Sequence, residues 1–131
     1  MSHKLLLADD SVTIQRVIEL TFADEDVKVT VVGDGKQAIE RIVVDHPDIV
    51  LADIGMPERD GYEVAAFIKN DPRFAGIPVI LLTEKQRDEH AELHAFERGF
   101  FDVLFKPLNP SSVQARVKRA FHFYDNQYRI F

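Results

Sequence analysis

The chain has 131 residues, no cysteine, and 22 acidic against 16 basic residues, for a net charge of -6. That length suits one domain with its own core, and the missing cysteine excludes a disulfide framework, thiolate metal ligands and a cysteine nucleophile. The acidity argues against a sequence-independent grip on nucleic acid or an anionic membrane, and the N-terminal apolar run is too short for a signal peptide or a span, so a soluble cytoplasmic protein is expected.

Taken in chain order, short apolar runs alternate with longer stretches of helical period. A first strand, about Lys4 to Ala8, runs into Asp9-Asp10, and Ser11 is placed to cap a helix with the apolar stripe Ile14, Val17 and Ile18. The second strand, about Val27 to Val32, alternates apolar with polar residues, as a half-exposed edge strand does. Gly33-Asp34-Gly35 then forms a turn before a helix with Ala38, Ile39 and Ile42 on its core face; a full G-x-G-x-x-G is absent, which leaves no dinucleotide fingerprint. The third strand, about Asp48 to Ala52, ends at Asp53, and Val64, Phe67 and Ile68 mark the next helix. The stretch from Asp71 to Pro78 is a loop running into the fourth strand, about Ile77 to Leu82, which ends at Thr83. His90 and His94 lie four apart on the fourth helix and, without a third ligand, read as a solvated face. The fifth strand, about Phe101 to Phe105, ends at Lys106-Pro107; Asn109 and Pro110 then open a last helix with the stripe Val113, Val117, Ala120, Phe121 and Tyr124. Five βα units of this kind call for an α/β fold with a mostly parallel sheet, in one domain over residues 1–131.

In an open parallel sheet the carboxyl ends of the strands share one edge, so Asp9, Asp10, Asp53, Thr83 and Lys106 converge on one crevice. Two like charges about 4 Å apart repel by roughly 4 kcal/mol at an effective dielectric of about 20. Three carboxylates gathered there therefore call for a compensating cation. An oxygen-only donor set suits magnesium better than zinc, and Lys106 and Thr83 can neutralise and hydrogen-bond a phosphoryl oxygen. A carboxylate in such a cage can itself become an aspartyl-phosphate.

Asp9-Asp10-Ser11, then Asp53-Ile54-Gly55-Met56-Pro57 with Asp60-Gly61, then Leu82-Thr83, Gly99 and Lys106-Pro107 occur in that order between about Lys4 and Tyr124. In this the chain resembles the response-regulator receiver domains of bacterial two-component signalling, of the chemotaxis-regulator kind. The resemblance implies a three-layer, flavodoxin-like (βα)5 fold with a five-stranded parallel sheet in the order 2-1-3-4-5. Its core would cover about residues 4–124, with an aromatic tail at 125–131. It also implies that Asp53 accepts a phosphoryl group, that Asp10 binds Mg2+ directly and Asp9 through water, and that the Gly55 carbonyl completes the protein ligands. Thr83 and Lys106 would read the phosphoryl group, and Lys106-Pro107 would be a cis peptide. The implied donor is a sensor histidine kinase, a phosphotransfer protein or a small phosphodonor. The implied output is contact with a downstream protein through the fourth helix, fifth strand and fifth helix.

Three positions depart from the family pattern. The aromatic that usually stands three residues before the lysine is Val103 here, with Phe101 and Phe105 expected on the same side of the strand. Glu84 replaces the small residue that usually follows the threonine; it can repel an incoming phosphoryl group, but weighs slightly more as an acidic residue favoured near a helix N-terminus. Arg98 replaces the small residue that usually precedes Gly99. Val103 and Glu84 motivate a second reading, a pseudo-receiver acting as a phosphorylation-independent interaction module. An independent phosphohydrolase is weaker, because the D-x-D-x-T arrangement of one aspartyl-phosphate enzyme family is absent after Asp53. Phe121 and Tyr124 are expected to close the core, while Phe123, Tyr128 and Phe131 are offered as a homodimer or partner surface. Arg116, Lys118 and Arg119 read as a solvated helix face, and the remaining chain leaves no room for a DNA-reading domain.

Overall fold

In the structure, a computed structural model that describes residues 2–56, 58–84 and 91–128, five parallel strands form one sheet in the order β2-β1-β3-β4-β5. The strands are β1 (His3–Ala8), β2 (Val27–Val32), β3 (Ile49–Asp53), β4 (Val79–Glu84) and β5 (Asp102–Lys106). Alternating with them are α1 (Val12–Thr21), α2 (Gly35–Asp45), α3 (Gly61–Asn70), α4 (Ala91–Glu97) and α5 (Pro110–Tyr128). This is the expected flavodoxin-like (βα)5 fold.

Burial follows from the apolar runs. Central β3 is buried along its whole length, whereas β2, at the sheet edge, is half-exposed as its alternating sequence requires. Successive strand residues face opposite sides, so the sheet carries two cores. Leu6, Val50, Leu81 and Val103 pack with Ile42, Val64 and Ile68 of α2 and α3. Leu5, Leu7, Leu51, Ile80 and Leu104 pack with Ile14, Ile18, Val117 and Phe121 of α1 and α5.

Polar caps fix where the helices begin. Ser11 Oγ accepts the Ile14 N–H, and Asn109 Oδ1 accepts the N–H groups of Ser111 and Ser112, as expected. Asp34 caps α2, and Asp60 forms a reciprocal capping box with Glu63 at the start of α3.

Several expectations shift. Pro78 has no N–H; its carbonyl accepts the Val50 N–H at 3.1 Å, and β4 pairs from Val79 and runs through Thr83 to Glu84. Glu84 is thus the last, exposed residue of β4. Phe101 precedes β5 and does not share a side with Val103 and Phe105: it packs against the α1/α5 core, 5.1 Å from Phe123, whereas Val103 and Phe105 belong to the α2/α3 core. Strand alternation applies only within the strand, and Phe101 lies in the bend before it. The basic face of α5 is paired: Arg116 and Arg119 reach Asp102 at 2.6 and 3.6 Å, and Lys118 reaches Glu25 at 3.3 Å. Residues 125–128, expected as tail, continue α5, where Asp125 meets His3 at 3.0 Å. Phe121 and Tyr124 are buried as expected. Pro57, His90, the His94 and Tyr128 side chains and Phe131 lie outside the described residues. Among the described residues, no helix is long and apolar enough to cross a membrane.

Candidate functional site

The sheet register brings the strand-end residues to one edge. Ala8 pairs with Ala52 and Asp53 with Leu82, while Thr83 and Glu84 pair with Phe105 and Lys106. Asp9, one residue past β1, is fully buried and held at three points. Its N–H donates to Val32 O (3.1 Å), its Oδ1 accepts the Ser11 N–H (2.9 Å), and its carbonyl accepts from Gln15 Nε2 (2.7 Å). Its other carboxylate oxygen, Oδ2, faces Lys106 Nζ at 2.9 Å.

The same ammonium meets Asp53 Oδ1 at 3.2 Å. Asp53 is buried, Asp10 is exposed at the rim, and one carboxylate oxygen from each of Asp9, Asp10 and Asp53 falls within 4.8 Å of the others. The Lys106-Pro107 peptide is cis. Glu84 is not part of this acidic group, the only such group among the described residues.

One lysine cannot neutralise three carboxylates. Burial, with the neighbouring Asp9 charge, pushes the Asp53 carboxyl above its ordinary value of 3.8, against the weaker opposing pull of Lys106 and the Gly55 N–H. Burial alone would lower the Lys106 ammonium, but hydrogen bonding and charge from Asp9, then Asp53, outweigh it and raise its pKa above 10.5. An oxygen-only, partly open site with excess negative charge fits a hard divalent cation.

Two glycines leave room around the acceptor. A Cβ on Gly55 would stand 3.7 Å from Asp53 Oδ2, so the small residue keeps that oxygen approachable. A Cβ on Gly61 would come within 2.7 Å of the Asp53 carbonyl oxygen. Gly61→Ala is therefore expected to lower stability by about 1–3 kcal/mol through overpacking, read as a reduced urea midpoint with an unchanged slope. An unchanged midpoint would show that the β3–α3 connection yields freely.

Thr83 is buried beside this edge, yet its hydroxyl has no hydrogen-bond partner among the described residues. Thr83→Val keeps the shape and removes the orphaned group, so it is expected to raise stability in urea by on the order of 1 kcal/mol. A loss instead would show that the native hydroxyl is satisfied.

The residue types at the strand ends were legible in the sequence, but Gln15 was not. Its amide clasps the Asp9 carbonyl from the first turns of α1, and no motif signals it. Two of the departures also acquire a setting. Val103 is buried, and the Arg98 guanidinium lies 4.3 Å over the Tyr62 ring, which meets Phe100 edge-on at 5.7 Å.

The sequence model of the response regulator receiver domain matches residues 5–118. The response regulator PleD of Caulobacter vibrioides is 33% identical over 123 residues, which cover 94% of this chain and 27% of PleD. The DNA-binding response regulator MtrA of Mycobacterium tuberculosis is 28% identical over 127 residues, covering 97% of this chain and 54% of MtrA. The chain thus spans about half the length of MtrA and about a quarter of PleD. A solved receiver domain of a sensor histidine kinase from Pseudomonas aeruginosa, with a magnesium ion coordinated in its active-site cleft, superposes with a TM-score of 0.82 at 28% identity, covering 93% of this chain and 99% of that one. Sheet order and family match agree over nearly the whole chain, which belongs to the response regulator receiver domains of two-component signalling.

Proposed function

We propose that Asp53 is a phosphoryl acceptor and that the modified domain signals through protein contacts of α4, β5 and α5. The observation that carries this reading is the incompletely neutralised group itself: Asp9 and Asp53 share one ammonium, beside a buried threonine hydroxyl with no partner among the described residues. Structural ion pairs rarely leave such surplus charge and an orphaned donor together.

Asp53 Oδ1 is engaged by Lys106, which leaves Oδ2, on the Gly55 side, as the attacking oxygen. It forms an O–P bond in line as the P–N bond to the donor imidazole breaks; the electron pair remains on the imidazole nitrogen. Lys106 holds the carboxylate in place and then faces the transferred group, and Thr83 supplies an O–H donor to it. Water attacking phosphorus later releases inorganic phosphate and restores the Asp53 carboxylate.

Asp10 and Asp53, with the Gly55 carbonyl, would hold Mg2+ directly and Asp9 through water, and the ion would supply positive charge against the phosphoryl oxygens. Asp9 suits the indirect role because Ser11 and Lys106 already occupy its two carboxylate oxygens.

The donor in this reading is a sensor histidine kinase or phosphotransfer protein in the cytoplasm, and the receiver of the signal is a downstream protein or a second copy of the chain. Incubation with magnesium and acetyl phosphate is expected to add one phosphoryl group by intact mass, and EDTA is expected to prevent it. No adduct, including with a competent kinase, would overturn the acceptor reading. The buried Val103, with Phe101 packed on the opposite, α1/α5 side of the sheet, favours one rival, a module that binds its partner whether or not it is modified. Partner affinity that is equal before and after phosphorylation would select that rival.

A further inference from the structure

We infer that Gln15 is a positioning residue for the metal ion: its amide fixes the peptide plane between Asp9 and Asp10 and so sets where the Asp10 carboxylate stands. This rests on the magnesium reading above and deepens it by assigning a residue outside the acidic group.

Asp9 and Asp10 are neighbours in the chain with opposite surroundings. Asp9 is fully buried and Asp10 is exposed, yet an oxygen of each falls within 4.8 Å of the other and of Asp53. Asp9 has its own anchors. Its N–H donates to Val32 O at 3.1 Å, and its two carboxylate oxygens meet the Ser11 N–H and Lys106 Nζ, each at 2.9 Å. Among the described residues nothing hydrogen-bonds or pairs with the Asp10 carboxylate, so its place depends on the backbone that carries it.

That backbone has one rotation left to fix. The Asp9 carbonyl and the Asp10 N–H share a rigid plane, which can still swing about the Asp9 Cα–C bond when the Asp9 N–H and side chain are held. Asp10 swings with it. The β1 ladder ends at Ala8 and α1 begins at Val12, so this plane lies between the two regular elements. Of the bonds that hold Asp9, only the one from Gln15 Nε2 to the Asp9 carbonyl, at 2.7 Å, falls on the plane itself.

Gln15 can hold it because α1 is firm at this point. Its own N–H donates to the carbonyl of the N-cap Ser11 at 3.0 Å, and Ile14 and Ile18 on either side of it are buried. Helical side chains lean toward the N-terminus, which returns the amide over the loop it clasps. The amide is also uncharged, so it restrains the plane without adding a cation that would compete with the ion. Magnesium demands near-ideal octahedral geometry, and a displaced direct ligand therefore costs affinity.

The test titrates the full metal-free chain with magnesium chloride, without a phosphodonor, by calorimetry and by 15N-edited NMR. Gln15→Met keeps the stem and loses the donor, and it is expected to raise the Kd for Mg2+ about tenfold, as loss of an outer-sphere partner does. Gln15→Ala is expected to do the same. Gln114→Met removes a bond of the same kind at the other end of α1, from Gln114 Nε2 to Thr21 O at 3.3 Å, and is expected to leave the Kd unchanged. In Gln15→Met the Asp10 amide resonance is expected to move, while the Asp9 amide, still bonded to Val32, keeps its slow hydrogen exchange. An unchanged Kd in both Gln15 variants, or an equal rise in Gln114→Met, would overturn the inference. So would loss of Asp9 protection together with magnesium affinity, which would make Gln15 a strap for the whole loop. A wild-type chain with no saturable response would overturn the magnesium reading and this inference with it, whereas a response that the Gln15 variants share overturns the role of Gln15 alone.

Discussion

Asp53→Asn is expected to abolish phosphorylation by acetyl phosphate completely while making the folded chain more stable. The amide lacks the anionic oxygen that attacks phosphorus, so no adduct should appear by intact mass at any magnesium concentration; an adduct in the variant would remove Asp53 from the acceptor role. The stability change has the opposite sign because the native carboxylate is held under strain. Burial and the Asp9 charge raise the Asp53 pKa in the folded state. The folded chain therefore binds the proton more tightly than the unfolded chain, and native stability falls as pH rises from 3.8 through the higher folded value.

Above that value the full cost is present, and the asparagine variant escapes it. A gain on the order of 1 kcal/mol, about 3–6 °C in Tm for a chain of this size, is expected near neutral pH. The gap should narrow as the pH is lowered toward 3.8, and it should narrow with saturating magnesium, which stabilises the native state more than the variant. A gap that widens on acidification would mean that Asp53 is stabilised as the anion.

Lys106→Ala is expected to be the most destabilising change at the site. The ammonium is the cation shared by Asp9, which is fully buried, and Asp53. Removing one partner of a buried pair leaves an uncompensated charge, at about 3–5 kcal/mol. Urea unfolding should show a large fall in midpoint, and Lys106→Met, which retains most of the stem volume, should show nearly the same fall if charge rather than packing is lost. Magnesium at about one hundred times its Kd should return roughly 2.7 kcal/mol, because it binds the folded acidic group and not the unfolded chain. A loss below about 1 kcal/mol in both variants would show that Asp9 and Asp53 do not depend on this lysine.

These two residues also mark how far the site could be read before the fold was known. Asp53 and Lys106 each close an apolar run, so their place at a strand end followed from hydrophobic period alone. That Lys106 also pairs with Asp9, nearer to it than Asp53, did not follow. Gln15 and Phe101 show the limit more sharply. Gln15 looks like any polar residue on a helix, but α1 leaves the sheet at an angle that lays its amide on the Asp9 carbonyl. Phe101 looks like a strand residue in register with Val103, but β5 begins one residue later and the ring turns to α5.

The sequence by itself determined the order of elements, the parallel sheet and the residue type at each strand end, because periods of two and 3.6 residues and helix caps are local properties of the chain. Only the tertiary structure decided which carboxylate shares the ammonium and that the Thr83 hydroxyl finds no partner among the described residues. Those outcomes depend on strand register and on the angle at which each helix returns to the sheet. They join residues far apart in the chain, so the local pattern around any one of them carries no record of the other.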